Sequence, residues 1–345
     1  MAEAVRVSQS RVKTWRMCKY AHKLKFVEHL KRKEISRPLT FGGLVHDAID
    51  LKVSGKNPFR MFNKIRKTAG DLFKEERDTF LDIVDDAEVI IAEYFDYYAN
   101  DDVKRLRING KVAEHKFEIE LEPGILMTGK MDGIVETKNG RKWVEEHKTF
   151  SNMPSIDDRW RNLQTAVYFK VAEALNVGKI DGVFWDYIWS KRPTLPSVNK
   201  DGSISKKRIV TLPSALEAWA TGAGVKLERI KRQIEVAVEN RKLYFQRTIT
   251  PLNKTVRNEL FEDFKVSARE IAEHDPNTRC PKTIDRHCMW CDFEKICRAE
   301  LTGSDVDFIK QKEFVKDDYQ AKKKSDGKEG KPGGKKSNKF TGKVS

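Results

Sequence analysis

Two apolar residues lead into four polar ones along Trp143-Val144-Glu145-Glu146-His147-Lys148, a run that reads as a β-strand. The period of two puts Val144, Glu146 and Lys148 on one face. Upstream, the run over 125–136 reads as a partner strand, and Lys138-Asn139-Gly140 supplies the turn between them. Turn length then decides which residues face each other. A two-residue Asn139-Gly140 loop would set position 132 opposite 147. A three-residue loop with Gly140 left-handed pairs 137 with 141, and hence 132 with 146. The second register is the expectation.

The same patterning predicts a helix over about 10–30, capped by Ser8 or Ser10, and a second helix after Gly43. Helices fill much of 59–100. Strands are expected at 112–121, 126–137, 142–149 and 182–190, with a helix over about 157–176 crossing between the last two. An edge strand at 206–212 and long helices at about 214–247 and 256–274 complete the set. Antiparallel strands followed by a crossover imply an α/β chain, a mixed sheet flanked by helices.

Directly opposed strand residues have Cβ atoms about 5 Å apart, where like charges destabilise unless something neutralises them. A divalent cation between Asp132 and Glu146 would do so, and two acids with Lys148 suggest a metal-dependent nuclease centre. The plainer alternative is a pair of ordinary exposed strand carboxylates.

Three further motifs surround the hairpin. Phe41-Gly42-Gly43-Leu44-Val45-His46 looks like a helix entered through glycines, with His46 either reaching the same cation or satisfied within the fold. Gln164 and Tyr168, four apart on the 157–176 helix, share a face suited to a phosphate backbone or to packing on the sheet. The third motif is Cys288-x2-Cys291-x5-Cys297, which with the distant Cys18 makes four thiols suited to a [4Fe–4S] cluster or a tetrahedral zinc. Structural zinc favours two close pairs, so the spacing leans towards iron–sulfur. Unligated thiols on a terminal helix packed by Phe293 and Ile296 are the other alternative. A cluster would tie segments roughly 270 residues apart, a closure worth about 5 kcal/mol. Cys280, beside Pro281, is given no ligand role.

The order Cys18, His46, Asp132, Glu146-x-Lys148, Gln164-x3-Tyr168 and Cys288-x2-Cys291-x5-Cys297 resembles the RecB-like branch of the PD-(D/E)xK nuclease superfamily. Within that branch it is most similar to the four-cysteine iron–sulfur exonucleases, CRISPR-associated and phage-encoded. The likeness covers roughly 7–298, with Met131 where the superfamily's name has proline. It implies a restriction-endonuclease-like core with a helical insertion at about 57–100 and an iron–sulfur staple joining the N- and C-terminal regions. The nuclease domain would span 1–303, followed by a basic, largely disordered tail at 304–345. The implied activity is a Mg²⁺- or Mn²⁺-dependent DNA exonuclease acting in recombination, replication or repair. The alternative is a non-catalytic DNA-binding subunit of a recombination or CRISPR spacer-acquisition complex. Asp132 and Glu146 would bind the cation, with His46 as a further ligand. Lys148 would orient or help deprotonate the attacking water. Gln164 and Tyr168 would hold the DNA backbone, and Cys18, Cys288, Cys291 and Cys297 would ligate the cluster, with Zn²⁺ as the alternative.

Composition refines this. The net charge of +15 favours a polyanionic partner. Residues 320–345 carry nine Lys against Asp326 and Glu329, which is +7 of that total and leaves +8 on the remainder. The folded part is therefore basic in its own right, while the Lys-, Gly- and Ser-rich tail reads as disordered. A chain of 345 residues can bury one substantial core. No glycine-rich phosphate loop or Walker motif occurs, so a helicase or recombination partner would be a separate chain. No apolar run approaches a membrane span, and the N-terminus lacks a signal-peptide core. The expected compartment is the cytoplasm of a prokaryotic cell or phage-infected host, where thiols serve metals rather than disulfides. No feature assigns an oligomeric interface.

Overall fold

The computed structural model describes residues 4–71, 74–205, 207–251, 253–317 and 340–343. The chain begins with β1 (Val5–Val7), α1 (Gln9–Met17), α2 (Lys19–His22), β2 (Leu30–Arg32), α3 (Arg37–Val53), α4 (Phe59–Thr68) and α5 (Lys74–Tyr97). The central part is β3 (Lys104–Arg105), β4 (His115–Glu122), β5 (Ile125–Met131), β6 (Gly133–Glu136), β7 (Lys142–Phe150), α6 (Ile156–Trp160), α7 (Leu163–Ala174) and β8 (Gly182–Trp189). Then follow α8 (Pro213–Gly222), α9 (Lys231–Tyr244), β9 (Phe245–Pro251), α10 (Lys254–Glu273), α11 (Glu294–Thr302), α12 (Val306–Glu313), β10 (Phe314–Lys316) and β11 (Phe340–Lys343).

A five-stranded sheet has the order β3-β6-β7-β8-β9, and a four-stranded sheet the order β1-β5-β4-β11. β7 and β8 run parallel through the α7 crossover, whereas β6 and β9 are antiparallel to their neighbours. The result is the expected mixed α/β arrangement with helices against the sheets. Strands β7 and β8 are buried on both faces for most of their length, as central strands of a covered sheet must be.

The single strand predicted over 126–137 is divided. β5 pairs with β4 and β6 with β7, and Asp132 is the one residue between them, where the chain passes from one sheet to the other. The turn is the three-residue type: Thr137 N–H donates to the Arg141 carbonyl at 3.0 Å, Gly140 has φ +73°, and Gly133 lies opposite Glu145. That register carries Asp132 to the level of Glu146.

Other boundaries move for local reasons. Ser8 Oγ caps α1 by accepting from the Arg11 N–H at 3.2 Å, but the helix stops at Cys18, whose backbone is extended. Cys18 packs with Leu24, Phe293 and Ile296 in a third core instead of continuing α1. Helix α3 starts before the glycines, with Pro38 in its first turn. Gly42 lies inside it because a Cβ there would stand 3.2 Å from Thr149 Oγ1 of β7, so glycine lets the helix lie close on the strand. The helix predicted over 214–247 is α8 and α9, and its last residues, 245–247, begin strand β9, which runs on through Thr248, Ile249 and Thr250. Residues 207–212 form no strand, and residue 206 lies outside the described residues. The tail predicted from 304 folds at first: α12 and β10 occupy 306–316, β10 pairs with β2, and Phe314 is buried. Of the rest, 340–343 form β11 along β4, and 318–339 and 344–345 lie outside the described residues.

The main core fills the space between the small sheet, α1, α7 and α10 around Val12, Trp15, Met127, Val167 and Phe264. A second joins α3, α4 and α5 to β8 and β9 around Phe41, Phe62, Ile90 and Phe245. Among the described residues no helix is long and apolar enough to cross a membrane.

Glycine contacts make the packing testable. A Cβ on Gly182 would overlap the Thr250 carbonyl and stand 2.8 Å from the Trp143 ring. Gly182→Ala is expected to cost about 1–3 kcal/mol of stability. Gly43→Ala, whose Cβ meets nothing within 4 Å, should instead raise stability by about 0.5–1 kcal/mol. Urea unfolding of both variants reads this, and an unharmed Gly182→Ala protein would refute the close approach of Trp143 and Thr250 to β8 at Gly182.

Candidate active site

The strand break, the second half of β7, α3 and the first turn of α7 bring Asp132, Glu146, Lys148, His46 and Gln164 together. Asp132 is 7% exposed and Glu146 2%, so both carboxyls sit nearly out of water. Asp132 Oδ2 accepts the His147 backbone N–H at 2.9 Å, and its Oδ1 is 3.5 Å from His46 Nδ1. Burial pushes this carboxyl up, but the bond to His46 and the charges of His46 and His147 outweigh burial and hold it at about 2. Glu146 moves the other way. Burial and the Asp132 charge push it up to about 7 against the pull of Lys148. Glu146 Oε1 is 2.5 Å from Lys148 Nζ and accepts from Gln164 Nε2 at 2.9 Å, while Oε2 is buried with no partner. An orphaned buried oxygen of this kind costs about 1–3 kcal/mol. Hard oxygen donors lacking a positive partner fit a divalent cation, so the residues present suit such an ion.

Gln164 is the joint of the site. Its Nε2 donates to Glu146 Oε1 and to Tyr168 Oη at 2.7 Å, and its Oε1 accepts from Lys148 Nζ at 2.9 Å. Tyr168 is buried and donates to the Lys130 carbonyl at 2.6 Å. The Tyr168 hydroxyl is thus bonded within the fold, and the Gln164 amide faces Glu146 and Lys148.

A family model described as the PD-(D/E)XK nuclease superfamily matches residues 6–298. The chain belongs to the PD-(D/E)XK nuclease superfamily. Membership implies a metal-dependent nuclease with DNA as its substrate. No curated protein matches the chain. Among solved structures it is similar to one described as the crystal structure of SSO0001, at 14% identity and a TM-score of 0.28, covering 83% of this chain and 96% of that one.

Sequence reasoning missed two groups around this nuclease site. Lys130 is paired with Glu114 and lies 3.9 Å from Asp50 Oδ2, on the Asp132 side of the centre. Burial and Glu114 push the Asp50 carboxyl up to about 8. The signal was present: Asp50 follows His46 by four, on one helix face. The second group lies on the other face of β7, where ligand atoms of Glu145, His147 and Asp186 are all within 4.8 Å of one another. Arg105 grips Glu145 through bonds of 2.7 and 2.6 Å, and Asp186 Oδ2 accepts from Tyr94 at 2.5 Å with Arg247 3.1 Å away. Two arginines beside two acids already balance the charge, so this is a buried ion network and not a second cation site. Burial would lower His147, yet Glu145 and Asp186 raise it to about 9.

Cys18, Cys288, Cys291 and Cys297, all free, line one cavity of about 160 Å³ where the α1–α2 junction meets α11. Burial pushes the Cys291 and Cys297 thiols up, and the neighbouring cysteines add to the effect. Cys280 does not line that cavity, and its Sγ is 3.2 Å from His274 Nε2. Among the described residues no three of these sulfurs lie within 4.8 Å of one another, whereas thiolates on one tetrahedral zinc stand about 3.8 Å apart.

The network should govern stability. Asp186→Asn, which leaves Arg247 and His147 short of counter-charge, is expected to cost about 3 kcal/mol in urea unfolding. His147 binds its proton more tightly when folded, so its contribution is complete below about 6.5 and lost as pH rises to about 9. Metal-free protein should therefore lose stability across that window, and His147→Gln should flatten the loss. An unchanged slope in the variant would assign the alkaline effect elsewhere.

Proposed function

We propose that this chain is a Mg²⁺- or Mn²⁺-dependent DNA exonuclease of the RecB-like, four-cysteine branch, with a [4Fe–4S] cluster on Cys18, Cys288, Cys291 and Cys297. The observation that carries the catalytic reading is the orphaned Glu146 Oε2 beside ionised Asp132, with Lys148 bonded to the same glutamate. A non-catalytic DNA-binding subunit would have no need of this arrangement.

His46, Asp132 and Glu146 would hold the cation. Bound there, a divalent ion supplies Lewis acidity and makes water a better nucleophile at neutral pH. Lys148 is a part-exposed cation tied to Glu146, so it orients the attacking water and offsets charge developing on the phosphoryl oxygens. Gln164 fixes Glu146 and Lys148 relative to each other through its two opposed bonds. The cluster reading is supported by four sulfurs from both ends of the chain around one cavity, in the C-x2-C-x5-C spacing with one remote cysteine. Exonuclease action in recombination, replication or repair, in a prokaryotic or phage-infected cell and beside a separate helicase, follows from the motif order.

Protein purified without air should release nucleotides from end-labelled DNA only with Mg²⁺ or Mn²⁺, and should be brown. Lys148→Ala is expected to lower kcat at least about 100-fold. Asp132→Ala should lose both cleavage and calorimetrically measured Mn²⁺ binding. Wild-type protein that binds DNA and metal but releases nothing would overturn the reading, and a colourless protein with bound zinc would replace the cluster.

A further inference from the structure

We propose that the groove between α1 and the segment following β7 is a binding path for single-stranded DNA, reaching the site from the Lys148 side. This rests on the nuclease reading and adds the form of substrate and the residues that select it. The groove has a volume of about 720 Å³. Lys13 and Arg16 of α1 line one wall, Arg159 and Arg161 at the end of α6 line the other, and Lys148 belongs to both the groove and the catalytic centre. Among the described residues the only acid in the lining is Asp158. Its carboxylate is already occupied in capping α6, accepting from Ser155 N at 3.1 Å and from Ser155 Oγ at 2.6 Å. Arg159 is held at the groove by donating to the Pro154 carbonyl at 3.4 Å.

The other large cavity beside the site, about 750 Å³, has no such bias. Asp47, Asp50 and Glu114 offset Lys56, Arg107 and Lys111 along its walls. Phosphates are therefore drawn to the metal-binding acids along α1 and not from the Asp50 side.

The apolar part of the groove decides the form of the substrate. Met153, Leu163 and Tyr187 line it beside the cations. Trp160 stands outside that lining but between Arg159 and Arg161 in sequence; it is 41% exposed, with its indole N–H held by Asp157 at 2.9 Å and the Arg161 guanidinium 5.9 Å from its ring. A duplex buries its base faces in its own stack and offers this surface only phosphates. A single strand offers both phosphates and open base faces, and cations interleaved with aromatic and apolar side chains match it.

The test uses full-length protein carrying Asp132→Ala, so that DNA survives, with a labelled oligothymidylate and a blunt duplex as probes. Adding Lys13→Ala with Arg161→Ala should weaken single-strand binding about tenfold at low salt. It should also make the log–log salt slope shallower by about 1.4, close to 0.7 per lost phosphate contact. Trp160→Ala should weaken binding about tenfold with the slope unchanged, the signature of lost stacking. Thermal unfolding of each exposed-site variant checks that the fold is intact. In cleavage-competent protein the double variant should raise KM and spare kcat. Unchanged affinity and slope would remove the groove, and an equal loss for both probes would make the path a duplex site. If the double variant cleaves with unaltered KM, the groove fails and the nuclease stands. If wild-type protein cleaves nothing, the nuclease reading fails, and the salt slopes still decide the groove.

Discussion

Asp132 and Glu146 must share a nearly water-free space although both are acids, and much of the surrounding structure answers that repulsion. At Asp132 the answer is complete: a backbone N–H and a neighbouring imidazole keep the carboxylate charged, down at about 2. At Glu146 it is partial, since Lys148 and Gln164 satisfy one oxygen and leave the other without a partner. The unequal treatment leaves a definite deficit of positive charge, and it is a deficit that a divalent cation would fill. Helix α3 can bring His46 to this point because Gly42 permits its close approach to Thr149, and helix α7 brings Gln164. The packing of two helices on β7, made by their apolar faces and Gly42, is thus what delivers the partners of these two acids.

Strand β7 carries charge on both faces, and the two faces have separate tasks. Glu146 and Lys148 serve the site, while Glu145 and His147 lock into Arg105, Asp186 and Arg247 behind it. A buried network of this kind is seldom a net gain in stability over well-packed apolar residues, although breaking it is costly. Its value here is positional. The His147 ring is clamped between Glu145 and Asp186, and the backbone N–H of the same residue points at Asp132 Oδ2. Any rotation of β7 about its axis would disturb both at once.

The legible parts of this fold were those fixed by short-range chemistry. The three-residue turn with left-handed Gly140 set the β6–β7 register, and that register set the meeting of Asp132 with Glu146. The break at Asp132 was not legible, because a strand that changes sheets keeps the same local pattern on either side. Strand β9 was hidden by a helical run leading directly into it, and only pairing with β8 decides its state. The roles of Gln164 and Tyr168 were half legible: their spacing gave the shared face, but what that face meets depends on Lys130, Glu146 and Lys148 arriving from elsewhere. The charged network could have been suspected, since Glu145 and His147 occupy the alternate face of a strand too central to expose it. Beyond 303, the segment held by β2 pairing and buried Phe314 lacked the density of apolar residues that marks a core from sequence alone.

Helix α1 joins the groove to the cysteine cavity, since Lys13 and Arg16 line one and Cys18 at its C-cap lines the other. Whether a group on the cysteines controls the groove depends on what else holds α1. Trp15 Nε1 donates to Glu270 at 2.7 Å and Arg16 Nε to Ser267 at 2.8 Å, while Val12 and Trp15 are buried in the main core with Phe264. Burying two such side chains stabilises the helix by several kcal/mol, on the order of 1.5–3 each. That is of the same order as the loop-closure term of about 5 kcal/mol for a cysteine staple. The segment at 280–293 stands differently. Ile284, Met289 and Trp290 are all mostly exposed, Trp290 at 73%, and Phe293 and Cys280 are its buried apolar anchors. A group bound by the cysteines therefore bears chiefly on the order of that segment, while α1 and its groove cations keep their place through α10.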